Sequence, residues 1–323
     1  MGLRRRRQMS GIEEVVATVE GNYKNFLGVL DSEGVSNRRR GRLQRRRYRC
    51  KGPNYLWHID GYDKLKPYGF CIHGAIDGYS RRIFWLDVTC TNNDLAIIAQ
   101  YYVDCVKQLN NMHFWYSGAP RIVRADCGTE NVIVAGLQRF FRSEATDDFS
   151  GDKSFLYRKS SANQRIEAWW SFLRKSHADW WINYFKDLRD GGVLRDDDPI
   201  QQACLQFCYT TLLQRELYEV ACLWNTHRIR PYPNQDTPAG KPDMLFFLPE
   251  ITDSQEYKTY VDKDDLQTAE EYFCKECPPF GCQEEFSDLM LLLMEDNNLS
   301  MPNNADEAEQ LFLTLFTELQ SIL

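Results

Sequence analysis

The sequence predicts a mixed α/β sheet with helices on its faces. Two observations carry that prediction. Residues 56–60, 69–77 and 82–89 are short apolar, β-branched and aromatic runs with short connections, and Asp77-Gly78 marks a tight turn between two of them. They read as three consecutive strands. Beyond them the pattern changes to alternating helix and strand, which requires helices on a sheet.

The elements follow in order. Residues 93–109 place Leu95, Ile98, Tyr102, Val106 and Leu109 on one helical face, and Asn92, Asn93 or Asp94 suits the cap. Residues 121–125 read as a fourth strand and 132–142 as a second helix. The polar stretch 144–160 reads as a loop. A long helix is expected over 161–184, rich in tryptophan (Trp169, Trp170, Trp180, Trp181). On it Asn163 or Gln164, Glu167, Trp170 or Ser171, and Arg174 recur at three-to-four spacing and share a face. A charged, Gly-containing turn at 189–198 leads into a helix over 199–224, with Leu205, Leu212 and Leu223 in its core face. The proline-containing stretch 225–242 closes this region. Three parts result: a basic, partly disordered segment over 1–53, a core over 54–248, and an acidic region over 249–323. Apolar clusters at 289–294 and 311–323 predict short helices there that pack back or bind a protein partner.

Charge is unevenly spread. The net charge is −7, yet residues 1–51 hold 14 Lys/Arg against 5 Asp/Glu, and residues 250–323 hold 18 Asp/Glu against 3 Lys. The acidic total therefore does not exclude nucleic acid. A short amphipathic helix is expected over 11–30. The run that follows contains Arg38, Arg39, Arg40, Arg45, Arg46 and Arg47, which suits phosphate neutralisation or nuclear import. No apolar run approaches a membrane span, and no apolar segment follows the basic start, so the chain reads as soluble and not secreted. The 11 cysteines read as free thiols. Cys274, Cys277 and Cys282 lack a second close pair or a downstream histidine, which argues against structural zinc.

Three acids stand out. Asp60 and Asp126 each end a strand-like run, and Glu167 lies on the long helix. Brought together, they would offer hard oxygen ligands to two Mg²⁺ ions (or Mn²⁺), the arrangement that stabilises both oxygens of an in-line phosphoryl displacement. Glu130 and Asn131 either orient Asp126 or touch substrate, and Glu130 equally suits the first turn of the following helix. Lys159, Arg165, Arg174 and Lys175 flank the Glu167 helix, where they suit either phosphate contact or a solvated charged face. His58 and His73 fall in strands and read as core or supporting residues, and Asp77 reads as a turn residue.

These residues carry a resemblance. Trp57-His58-Ile59-Asp60, Ile76-Asp77-Gly78-Tyr79-Ser80-Arg81, Arg124-Ala125-Asp126-Cys127-Gly128-Thr129-Glu130-Asn131, Asn163-Gln164-Arg165-Ile166-Glu167, and Trp224-Asn225-Thr226-His227-Arg228-Ile229-Arg230-Pro231 with Thr237-Pro238 occur in that order. In this order they resemble the retroviral-integrase-like catalytic core of DDE transposases and integrases. The likeness extends over residues 54–248 and is greatest to integrase-core proteins encoded by animal transposable elements. It implies an RNase H-like fold. It also implies 3′-end processing and strand transfer on DNA, with Asp60, Asp126 and Glu167 as catalytic acids holding two Mg²⁺ or Mn²⁺ ions. Expected partners are DNA and further copies of the chain on DNA, and the expected location is the nucleus. A second reading is a domesticated descendant that binds DNA or protein without transposing. The short stretch before the core and the acidic tail favour it. A ribonuclease H fits less well, given the 40 residues between Asp126 and Glu167 and the proline-containing close.

Overall fold

Alternation along Trp57-His58-Ile59-Asp60 sends Trp57 and Ile59 to one face of β1 (Trp57–Tyr62), and His58 and Asp60 to the other. The computed structural model describes residues 48–108, 118–159, 162–195, 197–231 and 237–322. The expected helix over 11–30 and the arginine run 38–47 lie outside them.

β2 (Cys71–Asp77) and β3 (Ile83–Thr89) complete an antiparallel meander with β1. After α1 (Leu95–Gln108) and the short β4 (Gly118–Ala119), β5 (Val123–Ala125) runs parallel to β1, with Trp57 opposite Val123 and His58 opposite Arg124. α2 (Val132–Phe141) follows, then β6 (Phe155–Tyr157), parallel to β5. The sheet order is β3-β2-β1-β5-β6. This is the mixed α/β sheet expected from the strand pattern, in the RNase H-like arrangement, with one correction. Residues 155–157, expected within a loop, form its fifth strand. Three residues in a polar stretch are too few to show a strand's alternation.

Each face of the sheet carries a core. On one, Trp57, Ile59, Ala75, Val123 and Ala125 meet Ile98, Tyr102 and Val106 of α1 and Val134, Leu137 and Phe141 of α2. On the other, Tyr62, Ile72, Leu86 and Val88 meet α3 (Gln164–Leu173), α4 (Asp179–Asp190) and α5 (Pro199–Thr226). The expected helix over 161–184 is thus α3 and α4, joined by a single π-helical turn at Arg174–Ala178 and continuing to Asp190. Glu216 of α5 accepts the Trp181 indole N–H at 2.8 Å and faces the His177 ring at 3.2 Å. Asp198 caps α5 by accepting from the N–H groups of Ile200 and Gln201, and Pro199 occupies the first turn, where no N–H is needed.

After α6 (Pro242–Phe247), the chain returns to both cores. β7 (Thr259–Tyr260) pairs with β4, and α7 (Lys263–Phe273) packs on α1. α8 (Glu284–Asp296) and α9 (Ala305–Ile322) pack on α5, where Met290, Leu311, Phe312 and Leu315 join the buried set. The Tyr184 hydroxyl ties this layer together through Tyr209 (3.0 Å), the Ala305 carbonyl (3.1 Å) and Glu309 (3.1 Å). No helix among the described residues is long and apolar enough to cross a membrane.

Candidate functional site

Parallel pairing of β1 with β5 sets the site. The register that places His58 beside Arg124 brings Asp60 and Asp126 to the same end of neighbouring strands. Ligands of open α/β sheets gather beyond the carboxyl ends of parallel strands, because loops rather than side-chain layers line the space there. Asp126 turns the chain sharply, accepting the Gly128 N–H at 2.9 Å. That turn brings Glu130 back over Gly128, where an added Cβ would fall 2.2 Å from the Glu130 carboxylate. Ligand oxygens of Asp60, Asp126 and Glu130 consequently lie within 4.8 Å of one another. Among the described residues this is the one group of three or more His, Cys, Asp or Glu side chains so arranged.

Asp60 is 8% exposed, and its environment is built around it. Gly74 lies opposite it on β2, and the space left by the missing side chain is filled by the Trp170 ring of α3. The Trp170 indole N–H donates to Asp60 Oδ2 at 3.0 Å. Burial pushes the Asp60 carboxyl up to about 7; the indole hydrogen bond opposes this, while the charges of Asp126, Glu167 and Glu130 add to it. Glu130 is raised by burial and then chiefly by Asp126.

Glu167 occupies the first turn of α3. Its carboxyl is raised by burial and then by the charge of Asp126, and it raises Asp60 in turn. Glu167 is therefore near enough to Asp60 and Asp126 for the charges to be felt but is not part of the tightest oxygen cluster, where Glu130 takes its place. Asn163 ties its helix to the sheet. The Asn163 amide donates to the Ile59 carbonyl at 3.0 Å, and its oxygen accepts from His58 Nδ1 at 2.7 Å. Asn131 is fully buried at the start of α2, with its amide 3.4 Å from Glu130 Oε1.

The two strand histidines are internal. Burial holds His58 down at about 3 and His73 at about 4, so both rings are neutral at physiological pH. His73 Nδ1 accepts the Trp85 indole N–H at 3.1 Å. Asp77 is a turn-maker, accepting from the N–H groups of Asn54, Tyr79 and Ser80 and from the Ser80 hydroxyl.

The basic flank divides. Lys159 is exposed beyond β6, at the sheet end where Asp126 lies, and Lys175 is exposed on the π-helical turn. Arg174 is exposed but bonded to Asp179 at 2.9 Å. Arg165 corrects the expectation of a phosphate contact. It is 7% exposed, donates to the Gly78 carbonyl (3.2 Å) and the Thr237 hydroxyl (2.7 Å), and lies over the Tyr48 ring. Arg38, Arg39, Arg40, Arg45, Arg46 and Arg47 lie outside the described residues.

Arg165 belongs to a clamp built from the closing motif. Arg81 donates to the Pro238 carbonyl, and the Trp224 indole donates to the Arg81 carbonyl at 2.7 Å. Asn225 mimics a strand neighbour for β3, accepting from Ile83 N–H at 2.8 Å and donating to its carbonyl at 3.0 Å. Asn225→Leu would strand both backbone groups, so we expect a loss of about 2–3 kcal/mol in denaturant unfolding. A smaller change than Asn225→Asp produces would contradict this role.

Among cysteines, Cys274 packs against the first core, while Cys277 lies near the Val88 carbonyl and Cys282 is buried in the second.

Residues 47–256 match the family model described as integrase core domain. No curated protein matches the chain.

Proposed function

The chain belongs to the integrase core domain family, and from that premise we propose a divalent-metal-dependent polynucleotidyl transferase that processes DNA 3′ ends and transfers strands. The convergence of Asp60, Asp126 and Glu130 beside the parallel pair β1 and β5 carries the reading. Asp60, Asp126 and Glu167 are the catalytic acids on this reading, and Glu130 is a further ligand. An all-carboxylate donor set is hard and anionic, which fits Mg²⁺ or Mn²⁺. Two such ions, when bound, supply Lewis-acid activation of a water or 3′-hydroxyl and offset charge on the departing oxygen.

The protein's own groups do the rest. Trp170 fixes the orientation of Asp60 and keeps one of its oxygens engaged. The carboxyl raised to about 7 gives up its proton when a cation binds, so affinity falls as pH drops below that value. Lys159 and Lys175 offer exposed ammonium groups to backbone phosphates. No side-chain nucleophile is required, because the attacking oxygen belongs to water or DNA. On this reading the protein works in the nucleus, with the basic runs at 4–7 and 38–47 as the supporting feature.

The test is nicking and strand transfer on labelled duplex and supercoiled DNA with Mg²⁺ or Mn²⁺. Asp60→Asn, Asp126→Asn and Glu167→Gln should each reduce turnover by at least about a thousandfold, the scale of losing a major transition-state charge contact. Glu130→Gln should raise the metal concentration needed. Turnover that survives all of these substitutions would discard the assignment. DNA binding without turnover, weakened by neutralising residues 38–47, would instead indicate a domesticated protein that binds DNA without transposing.

A further inference from the structure

Asn163 holds two positions at once. Its side chain grips β1 at His58 and Ile59, the residues just before Asp60, while its carbonyl accepts the N–H of Glu167 at 3.2 Å. One buried amide thus links the strand that bears Asp60 to the helical turn that bears Glu167.

That amide is itself held through a directional chain. Because Asn163 Nδ2 donates to the Ile59 carbonyl, Oδ1 must be the atom that faces His58. His58 Nδ1 therefore carries the proton, and Nε2 is left as an acceptor. The Tyr48 hydroxyl donates to it at 2.8 Å. Tyr48 has a built seat: its ring lies under the Arg165 guanidinium, 4.1 Å from carbon to centroid. At Gly78, a Cβ would fall 2.4 Å from the Tyr48 hydroxyl, so only glycine leaves the oxygen room. The His58 ring lies 5.7 Å from the tyrosine ring by centroids, and His58 and Asn163 are both fully buried. A chain of buried hydrogen bonds with fixed donors orients what lies at its end, as outer partners orient the ligands of metal sites.

We propose that Tyr48 is a positioning residue for Glu167: through His58 and Asn163, its hydroxyl fixes where the first turn of α3 stands against β1. Seating of the segment that enters the core thereby sets the geometry of the acid farthest along the chain. This rests on Glu167 being a catalytic acid, as assigned above.

The experiment compares the full-length wild type with Tyr48→Phe, Asn163→Ala, the double variant and Glu167→Gln. Hydrogen exchange of the amides of residues 164–168 and strand-transfer kinetics are both measured. Tyr48→Phe keeps the ring over Arg165 and removes one hydroxyl, so the fold should persist. Exchange in the first turn of α3 should accelerate about three- to tenfold, the loss of one neutral hydrogen bond. kcat should fall by a similar factor with KM for DNA unchanged. In the Asn163→Ala background, adding Tyr48→Phe should change neither quantity, because the chain is already broken. Unchanged exchange at 164–168 in Tyr48→Phe would overturn the proposal. So would acceleration spread evenly over the protein, or simple additivity in the double variant. Undiminished turnover in Glu167→Gln would remove the catalytic assignment, while the exchange data would still decide whether Tyr48 positions the helix.

Discussion

Asp60→Asn should stop metal-dependent strand cleavage and, at the same time, make the metal-free protein more stable at pH 8. The two effects share a cause. Asp60 is 8% exposed, and burial together with three neighbouring carboxylates lifts its carboxyl from 3.8 to about 7. Between those values the folded state holds a proton that the unfolded state has lost. Folding stability contributed by this group is therefore fully present below pH ~4 and is lost as pH rises through ~7. Asparagine carries no charge and can still accept from the Trp170 indole. The variant should match wild type at pH 4, gain steadily above it, and exceed it at pH 8 by on the order of 2–4 kcal/mol. Thermal melts in chelator across that range provide the check. Mn²⁺ should stabilise the wild type increasingly from pH 5 to 8, and the variant much less. A variant equally stable relative to wild type at all pH values would mean that Asp60 is not held against its charge.

Gly74→Ala should damage both fold and site through a single methyl group. The added carbon would stand 2.9 Å from Trp170 Cη2, 3.3 Å from Leu86 Cδ1 and 3.4 Å from the Trp85 carbonyl. β2 is buried along its whole length between two strands, so the sheet has little freedom to yield. The expected loss is about 1–3 kcal/mol, as for overpacking of a close-fitted core. The easier escape is for Trp170 to swing away, which breaks its bond to Asp60. Turnover should then fall at least about tenfold, the lower end of the range for a hydrogen bond to a charged group, and tryptophan fluorescence should change. Trp170→Phe in the same chain should restore stability while leaving turnover low. Recovery of both would show that the indole N–H has no part in orienting Asp60.

Much of this was readable beforehand, for physical reasons that differ by residue. Alternation in 56–60 and 69–77 disclosed β1 and β2 because one buried face imposes a period of two. Asp60 and Asp126 were legible as acids that close apolar runs, although β1 continues past Asp60 to Tyr62. Their proximity was not, since it depends on the parallel register of β1 and β5. Glu130 was read with two roles, helix cap or partner of Asp126. The informative signal was Gly128, which permits the turn that returns the glutamate to Asp126. Arg165 offered a warning in its spacing. Residues two apart on a helix point in different directions, so a Glu167 near Asp126 turns Arg165 toward the interior. The pairing of Gly74 with Trp170 joins residues far apart in sequence and left no local trace. Neither did the π-helical turn, which lies beside the contacts of His177 and Trp181 with Glu216, a residue distant in sequence.

The packing of α9 on α5 has a consequence in time. Leu311, Phe312, Leu315 and Leu319 share one core with Leu205, Phe207 and Leu212, which face the sheet that bears the acids. A ribosome has made all four carboxylates long before it makes those leucines. At ~5–20 residues per second the interval is on the order of ten seconds. Throughout it the nascent chain holds its acid cluster without the layer that braces α4 and α5. Completion of the core that backs the acid-bearing sheet is thus deferred until translation has passed residue 319.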